Sequence, residues 1–291
     1  MDIVATLKNF EEIPELIHLG ADVFLLESET YTRAAKYPFS LEKIIEIAKI
    51  LRKKRKKTYV LLNTFIHEQD IEGIRAFLFA LDKSKVDAFV CYDFSLIIIA
   101  KALKMEQRII YQPGTMNTHP KDMSVFRDLG IRGITISREI TFAEICEFFQ
   151  EKDQLELSLS GHGYQEMFYS IRKLLESFMI SQKNQEFSLD PDDFYQIREK
   201  QRPDSFFPIV EDRFGTQIYR GKKLSSFEFI EWMEPYLKDF FIERRFISDQ
   251  EYYASIEAYK LKEYEQFTNK YGIEYDTGFF MQKTEKIKGD L

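Results

Sequence analysis

Sulfur is scarce and unpatterned in this chain: its 291 residues include two cysteines, Cys91 and Cys146, both inside apolar segments. That is too few for a disulfide framework or a zinc site built on thiolates, and it fits a reduced, cytoplasmic setting. No window approaches the roughly 20 apolar residues that a membrane span requires, so no membrane partner is expected. The apolar run at 96–103 is long enough only for a buried helix. The opening "MDIVATLKNF" carries an acid at position 2 and no apolar stretch with a small-residue cleavage site, so no export address is expected. A positive excess is missing too. With 41 Lys and Arg against 48 Asp and Glu, the formal charge is −7. A bulk field of that sign opposes coating of DNA or RNA and leaves room only for a local basic groove. The chain contains no G-x-S-x-G, no H-E-x-x-H, no P-loop and no G-x-G-x-x-G, and spacing gives no support to a serine triad of Ser160 or Ser170 with His162.

What is present is a rhythm. Short β-rich apolar runs at 2–7, 22–27, 58–64, 86–93, 108–113, 133–137 and 155–161 alternate with helical patterns at 9–19, 41–57, 70–84, 94–104, 120–129 and 141–152. Units of about 25–30 residues are the size of βα repeats, which imply parallel strands with right-handed crossovers. After 161 the rhythm breaks. Residues 164–180 read as helix, a polar Pro- and Asp-bearing stretch follows, and "FFPIVEDRFGTQIYRG" reads as a hairpin near 206–220. A helix in "SSFEFIEWMEPYL", an eighth strand at 239–246 and a long amphipathic helix at 249–270 complete the chain. The expectation is a single α/β domain over 1–291, a TIM-like (β/α)8 barrel with an insertion at 181–223 between strands 7 and 8.

In such barrels chemistry gathers on the loops after the C-terminal strand ends. The basic run "RKKRKK" at 52–57 ends a helix before strand 3, which puts it on the opposite rim, as a solvated helix cap first and a tRNA- or partner-facing patch second. The C-terminal rim instead collects Glu27 and Arg33, Asn63, Tyr92 and Asp93, the "QPGTMNTH" loop with Gln112 and Thr118, Ser137-Arg138-Glu139, His162, and Glu243-Arg244-Arg245. Arg33, Arg138 and one of Arg244 or Arg245 could fork onto carboxylate or phosphate oxygens. Asp93, Glu139 and His162 are candidate acids or bases. Structural roles stay open beside these: Asp93 as a cap for the helix from 94, Asn63 as a loop brace, Glu139 as an ion-pair partner of Arg138.

Several segments in order, "GADVFLL", "YTRAAKYPFS", "YVLLNTFIH", "VDAFVCYD", "GIRGITISREIT", "HGYQEMFYSIRKLL", "FPIVEDRFGT" and "TGFFMQKT", resemble the peptidase U32 family, the collagenase-like proteases. The chain is most similar to the shorter members linked to 5-hydroxylation of wobble uridine in tRNA. The resemblance implies substrate-binding roles for Arg33, Asn63, Thr118, Arg138, Ser170 and Arg172 and catalytic roles for Glu139, His162 and Asp93. It also implies a longer U32 paralogue and tRNA as partners, with prephenate as co-substrate. Cluster-bearing relatives supply four cysteines to a [4Fe–4S] group, whereas Glu166 and Lys173 stand at the first two of those places and 198–226 holds none. A cluster on this chain alone is therefore not expected. Beside the tRNA-modification reading stand a peptidase and a non-catalytic partner subunit that retains the rim.

Overall fold

In the computed structural model, the described residues are 1–151, 155–182, 195–200 and 202–282. Eight parallel strands close into a barrel: β1 (Asp2–Thr6), β2 (Val23–Ser28), β3 (Lys57–Leu62), β4 (Ala88–Cys91), β5 (Ile109–Tyr111), β6 (Gly133–Thr135), β7 (Glu156–Gly163) and β8 (Asp239–Ile242). Closure is explicit, since β8 pairs with both β1 and β7. The strands read as nearly continuous apolar runs because both faces are covered. Val4, Val23, Leu25, Tyr59, Ala88, Val90, Ile110 and Phe241 fill the barrel interior. Their neighbours of opposite parity, such as Ala5, Phe24, Val60, Phe89, Ile109 and Phe240, face the surrounding helices in the larger core.

The helices begin where the sequence offers caps. Ser40 opens Leu41–Lys53 and Ser248 opens Asp249–Leu261, while Thr141 and Glu144 form a reciprocal capping box at the head of Phe142–Gln150. The basic run lies on the N-terminal rim as expected, where Lys57 pairs with Asp2 at 2.6 Å and Arg52 donates to the carbonyls of Ser84 and Lys85.

The excursion between β7 and β8 departs from expectation in its first part. Residues 166–170 form a strand, with a helix only at Leu174–Ser181. That strand pairs antiparallel with Gly215–Tyr219, which pairs with Arg202–Asp212, which in turn pairs with Tyr195–Glu199. The aromatic "EMFYS" segment has a ready β partner across the hairpin, and long-range pairing overrides the helical pattern of its surroundings. Further on, the helix expected in 225–237 is confined to Ile230–Met233, and the long terminal helix is two helices, Asp249–Leu261 and Glu265–Tyr271. Among the described residues no helix is long and apolar enough to cross a membrane.

Candidate active site at the barrel mouth

The inward register of the barrel, continued past the strand ends, defines the site. Val4 leads to Thr6, Leu25 to Glu27, Leu61 to Asn63, Val90 to Tyr92, Ile110 to Gln112 and Phe241 to Glu243, and all six end points line one cavity of about 100 Å³. Loop and insertion residues roof it: Arg33, Tyr37, Arg138, Tyr164, Glu166, Gln217, Tyr219 and Arg245.

Arg33 is the centre of this arrangement. Its guanidinium lies 4.0 Å from the ring centroids of both Tyr92 and Tyr169, which meet each other edge to face, and donates to both carboxylate oxygens of Glu166 at 2.9 and 3.0 Å. Asn63 braces it twice, accepting from the Arg33 backbone N–H through Oδ1 at 2.8 Å and from the guanidinium through its carbonyl. Arg138 approaches Glu166 to 4.0 Å. It can lie there because residue 114 is glycine, where a Cβ would stand 2.5 Å from the Arg138 Nη2. Below, Glu27 accepts from the N–H groups of Lys36 and Tyr37, and Glu243 accepts from Ser160. Desolvation pushes both carboxyls above the usual range, with nearby guanidinium groups opposing the shift. The mouth therefore combines guanidinium groups with buried carboxyls whose pKa is raised by desolvation, a set suited to a small anionic ligand.

Of the residues singled out from sequence, Arg33, Asn63, Arg138 and Arg245 come together here, with the rim residues Glu27, Tyr92, Gln112 and Glu243. The others lie elsewhere or are held by structural partners. Asp93 spends one oxygen on Ile66 N–H and the other on Ser95 N–H, both at 2.8 Å, so it caps a helix and ties a loop. Glu139 lines a separate groove with Tyr164, Phe206 and Arg220, its carboxyl raised by burial against the opposing pull of Arg138. Thr118 is exposed, Ser170 accepts from Arg172 N–H at 3.2 Å on the appended sheet, and the Arg172 side chain is exposed. Arg244 is committed to Glu12 at 2.6 Å and Asp249 at 2.7 Å, which leaves Arg245 as the anion-facing member of that pair.

The largest correction concerns His162. It does not point at the rim but is fully buried in an aromatic box, stacked on Tyr275 at 4.8 Å with Tyr259, Phe267 and Phe227 around it. The cause is a bulge. Phe241 pairs with Ser160 but Ile242 pairs with His162, so Gly161 is extra and the two-residue alternation that would turn His162 inward is broken. Gly161 itself is required, since a Cβ there would sit 2.0 Å from the Phe240 ring. Burial, with a smaller contribution from Lys223, pushes the imidazole down to about 3. The neutral ring meets the Tyr259 hydroxyl through Nδ1 at 3.2 Å, and that hydroxyl also accepts from Ser226 N–H.

Sequence reasoning placed Glu27, Tyr92, Gln112 and Glu243 on this rim without giving them a role, held Arg245 as an alternative to Arg244, and did not bring Glu166, Gln217 or Tyr219 to the site. Strand parity was the signal that would have singled out the four strand-end members. Cys91 is buried on the outer face of β4, Cys146 lies on the helix Phe142–Gln150, and Lys173 pairs with Glu176 at 3.3 Å.

Fold and site together define a (β/α)8 barrel protein whose mouth is lined by arginines and carboxyls and roofed in part by an antiparallel sheet. The chain belongs to peptidase family U32, whose model matches residues 8–288. Curated relatives include tRNA hydroxylation protein P2 of Bacillus subtilis, 25% identical over 75% of this chain and 70% of that protein. Protein P1 of the same organism is 24% identical over 62% of this chain and 43% of its own length. An uncharacterized protease of Methanocaldococcus jannaschii is 26% identical over 98% of this chain and 74% of that protein. Among solved structures, the U32 peptidase Mk0906 superposes with a TM-score of 0.51 over 83% of this chain and 92% of its own, at 13% identity, which supports the fold.

Proposed function

We propose that the chain is a subunit of a tRNA wobble-uridine 5-hydroxylation system, acting with a longer, cysteine-bearing U32 paralogue, and that its barrel mouth binds a small carboxylate such as prephenate. The observation that carries this reading is the convergence of Arg33, Arg138 and Arg245 on one cavity at the C-terminal face of the barrel. The names of the relatives give it direction, since those matching most of the chain include tRNA hydroxylation proteins. Two cysteines cannot supply the four thiolates of a [4Fe–4S] group, and the donors at positions 166 and 173 are a carboxylate and an ammonium, so on this reading any cluster resides on the partner. A peptidase finds less support, because His162 is bonded to a tyrosine inside the core rather than to a nucleophile in the mouth.

Mass spectrometry of tRNA from a deletion strain, with no oxygen-dependent hydroxylation route active, tests the proposal. Hydroxyuridine should fall on deletion, return with the wild-type gene and not return with Arg138→Gln. Unchanged hydroxyuridine in the deletion strain overturns the reading. Full rescue by Arg138→Gln would assign the chain a scaffolding role.

A further inference from the structure

We propose that Glu166 is a resident competitor for the ligand of Arg33, and that a ligand carboxylate enters the mouth by displacing it. The proposal rests on the anion-binding reading of the mouth given above and specifies how that site is controlled.

A guanidinium only 2% exposed needs a counter-charge, and here the chain supplies its own. The Glu166 carboxylate takes both oxygens to one nitrogen of Arg33 while the rings of Tyr92 and Tyr169 each lie 4.0 Å from the guanidinium carbon. The parts of a carboxylate-recognition site are thus assembled with a side-chain carboxylate seated in them. Glu166 belongs to the appended sheet rather than to the barrel, so its seat is shared between two bodies of structure. The sheet is held independently by the Asp212 carboxylate, which accepts from Ala34 N–H at 2.6 Å. Releasing Glu166 therefore asks only for a side-chain rotation, not for the sheet to leave.

Space and unused donors point the same way. The cavity of about 100 Å³ falls short of the roughly 300 Å³ at the lower end of small-molecule sites, so a ligand needs the volume that Glu166 occupies. Arg138 at 4.0 Å from Glu166 is beyond hydrogen-bond reach. The Gln217 Nε2, on a side chain buried in the same lining, has no hydrogen-bond partner among the described residues. A carboxylate that replaces Glu166 and carries a second oxygen-bearing arm satisfies Arg33, Arg138 and Gln217 together, which the short Glu166 side chain does not. The ligand class is therefore a compact dicarboxylate or a carboxylate with a neighbouring acceptor, and Glu166 sets the threshold it must exceed.

Titration calorimetry on the full chain tests this with malonate as probe and uncharged malonamide as control. Glu166→Gln should bind malonate at least about tenfold more tightly than wild type, because removing a competitor restores the occupied fraction of the site. Adding Arg33→Gln should abolish that gain, and malonamide should give no response. Malonate affinity in Glu166→Gln equal to or below wild type overturns the proposal. Should that variant fail to fold, Glu166→Asp keeps the charge but is too short for the two-oxygen seat and should shift affinity in the same direction. Loss of the fold in both variants marks Glu166 as a structural clasp and also overturns it. The tRNA measurement is separate: hydroxyuridine loss without competition refutes only the role of Glu166, and competition without hydroxyuridine loss refutes only the tRNA function.

Discussion

His162→Phe separates a buried structural histidine from a catalytic one. In the unfolded chain the imidazole titrates near 6.5, and in the folded protein burial among Tyr275, Phe267, Phe227 and Tyr259, with Lys223 nearby, pushes it down to about 3. Between those values the unfolded state binds a proton that the folded state refuses. Stability therefore rises with pH through the window, is complete above 6.5 and is lost as pH falls. At about 1.4 kcal/mol per pH unit, the loss from this group is roughly 2 kcal/mol at about pH 5 and approaches roughly 5 kcal/mol near pH 3. Phenylalanine fits an aromatic box and cannot titrate; at neutral pH its cost is the Tyr259 hydrogen bond, about 1 kcal/mol. Urea unfolding of both proteins at about pH 7.5 and pH 5 gives four free energies. Wild type should lose roughly 2 kcal/mol more than the variant between the two conditions. An equal loss in both proteins would refute a neutral, buried His162.

Two further predictions concern stability. Glu12→Gln leaves Arg244 buried with its main partner gone, since Glu12 accepts both guanidinium nitrogens at 2.8 and 2.6 Å and also the Tyr253 hydroxyl at 2.6 Å. The expected cost is about 3–5 kcal/mol, a fall in Tm on the order of 10 °C by calorimetry, and a change under 1 kcal/mol would show the pair to be dispensable. Gly161→Ala drives a methyl to within 2.0 Å of a fully buried Phe240 ring and should cost about 1–3 kcal/mol in urea unfolding, whereas a neutral result would mean that the bulge can reposition.

Most of the barrel was legible because its determinants are local. The runs "VFLL", "YVLL" and "AFVC" are apolar on both faces, and the segments between them carry a 3.6-residue period with Ser40 and Thr141 as caps. The insertion was less legible because its first strand is specified from a distance. Residues 166–170 become β by pairing Ser170 with Thr216, Tyr169 with Gln217 and Phe168 with Ile218, partners more than 40 residues away that no window around 166 contains.

The site divides along the same line. Arg33, Asn63 and Arg138 were recoverable because each follows an inward-facing strand closely, so strand order alone brings them to one mouth. His162 was misplaced because a single unpaired residue, Gly161, inverts the parity on which the inference rested, and a bulge has no composition signature beyond the glycine itself. Glu166 shows the converse. Its sequence signal was the absence of a cysteine, which says what the position does not hold. Only the Arg33–Glu166 ion pair shows what the position does hold: a carboxylate on a charge that would otherwise be buried alone. Where the family resemblance leads one to look for a thiolate, the structure shows a carboxylate bonded to Arg33, and on the competition proposed above that carboxylate decides what else can enter the mouth.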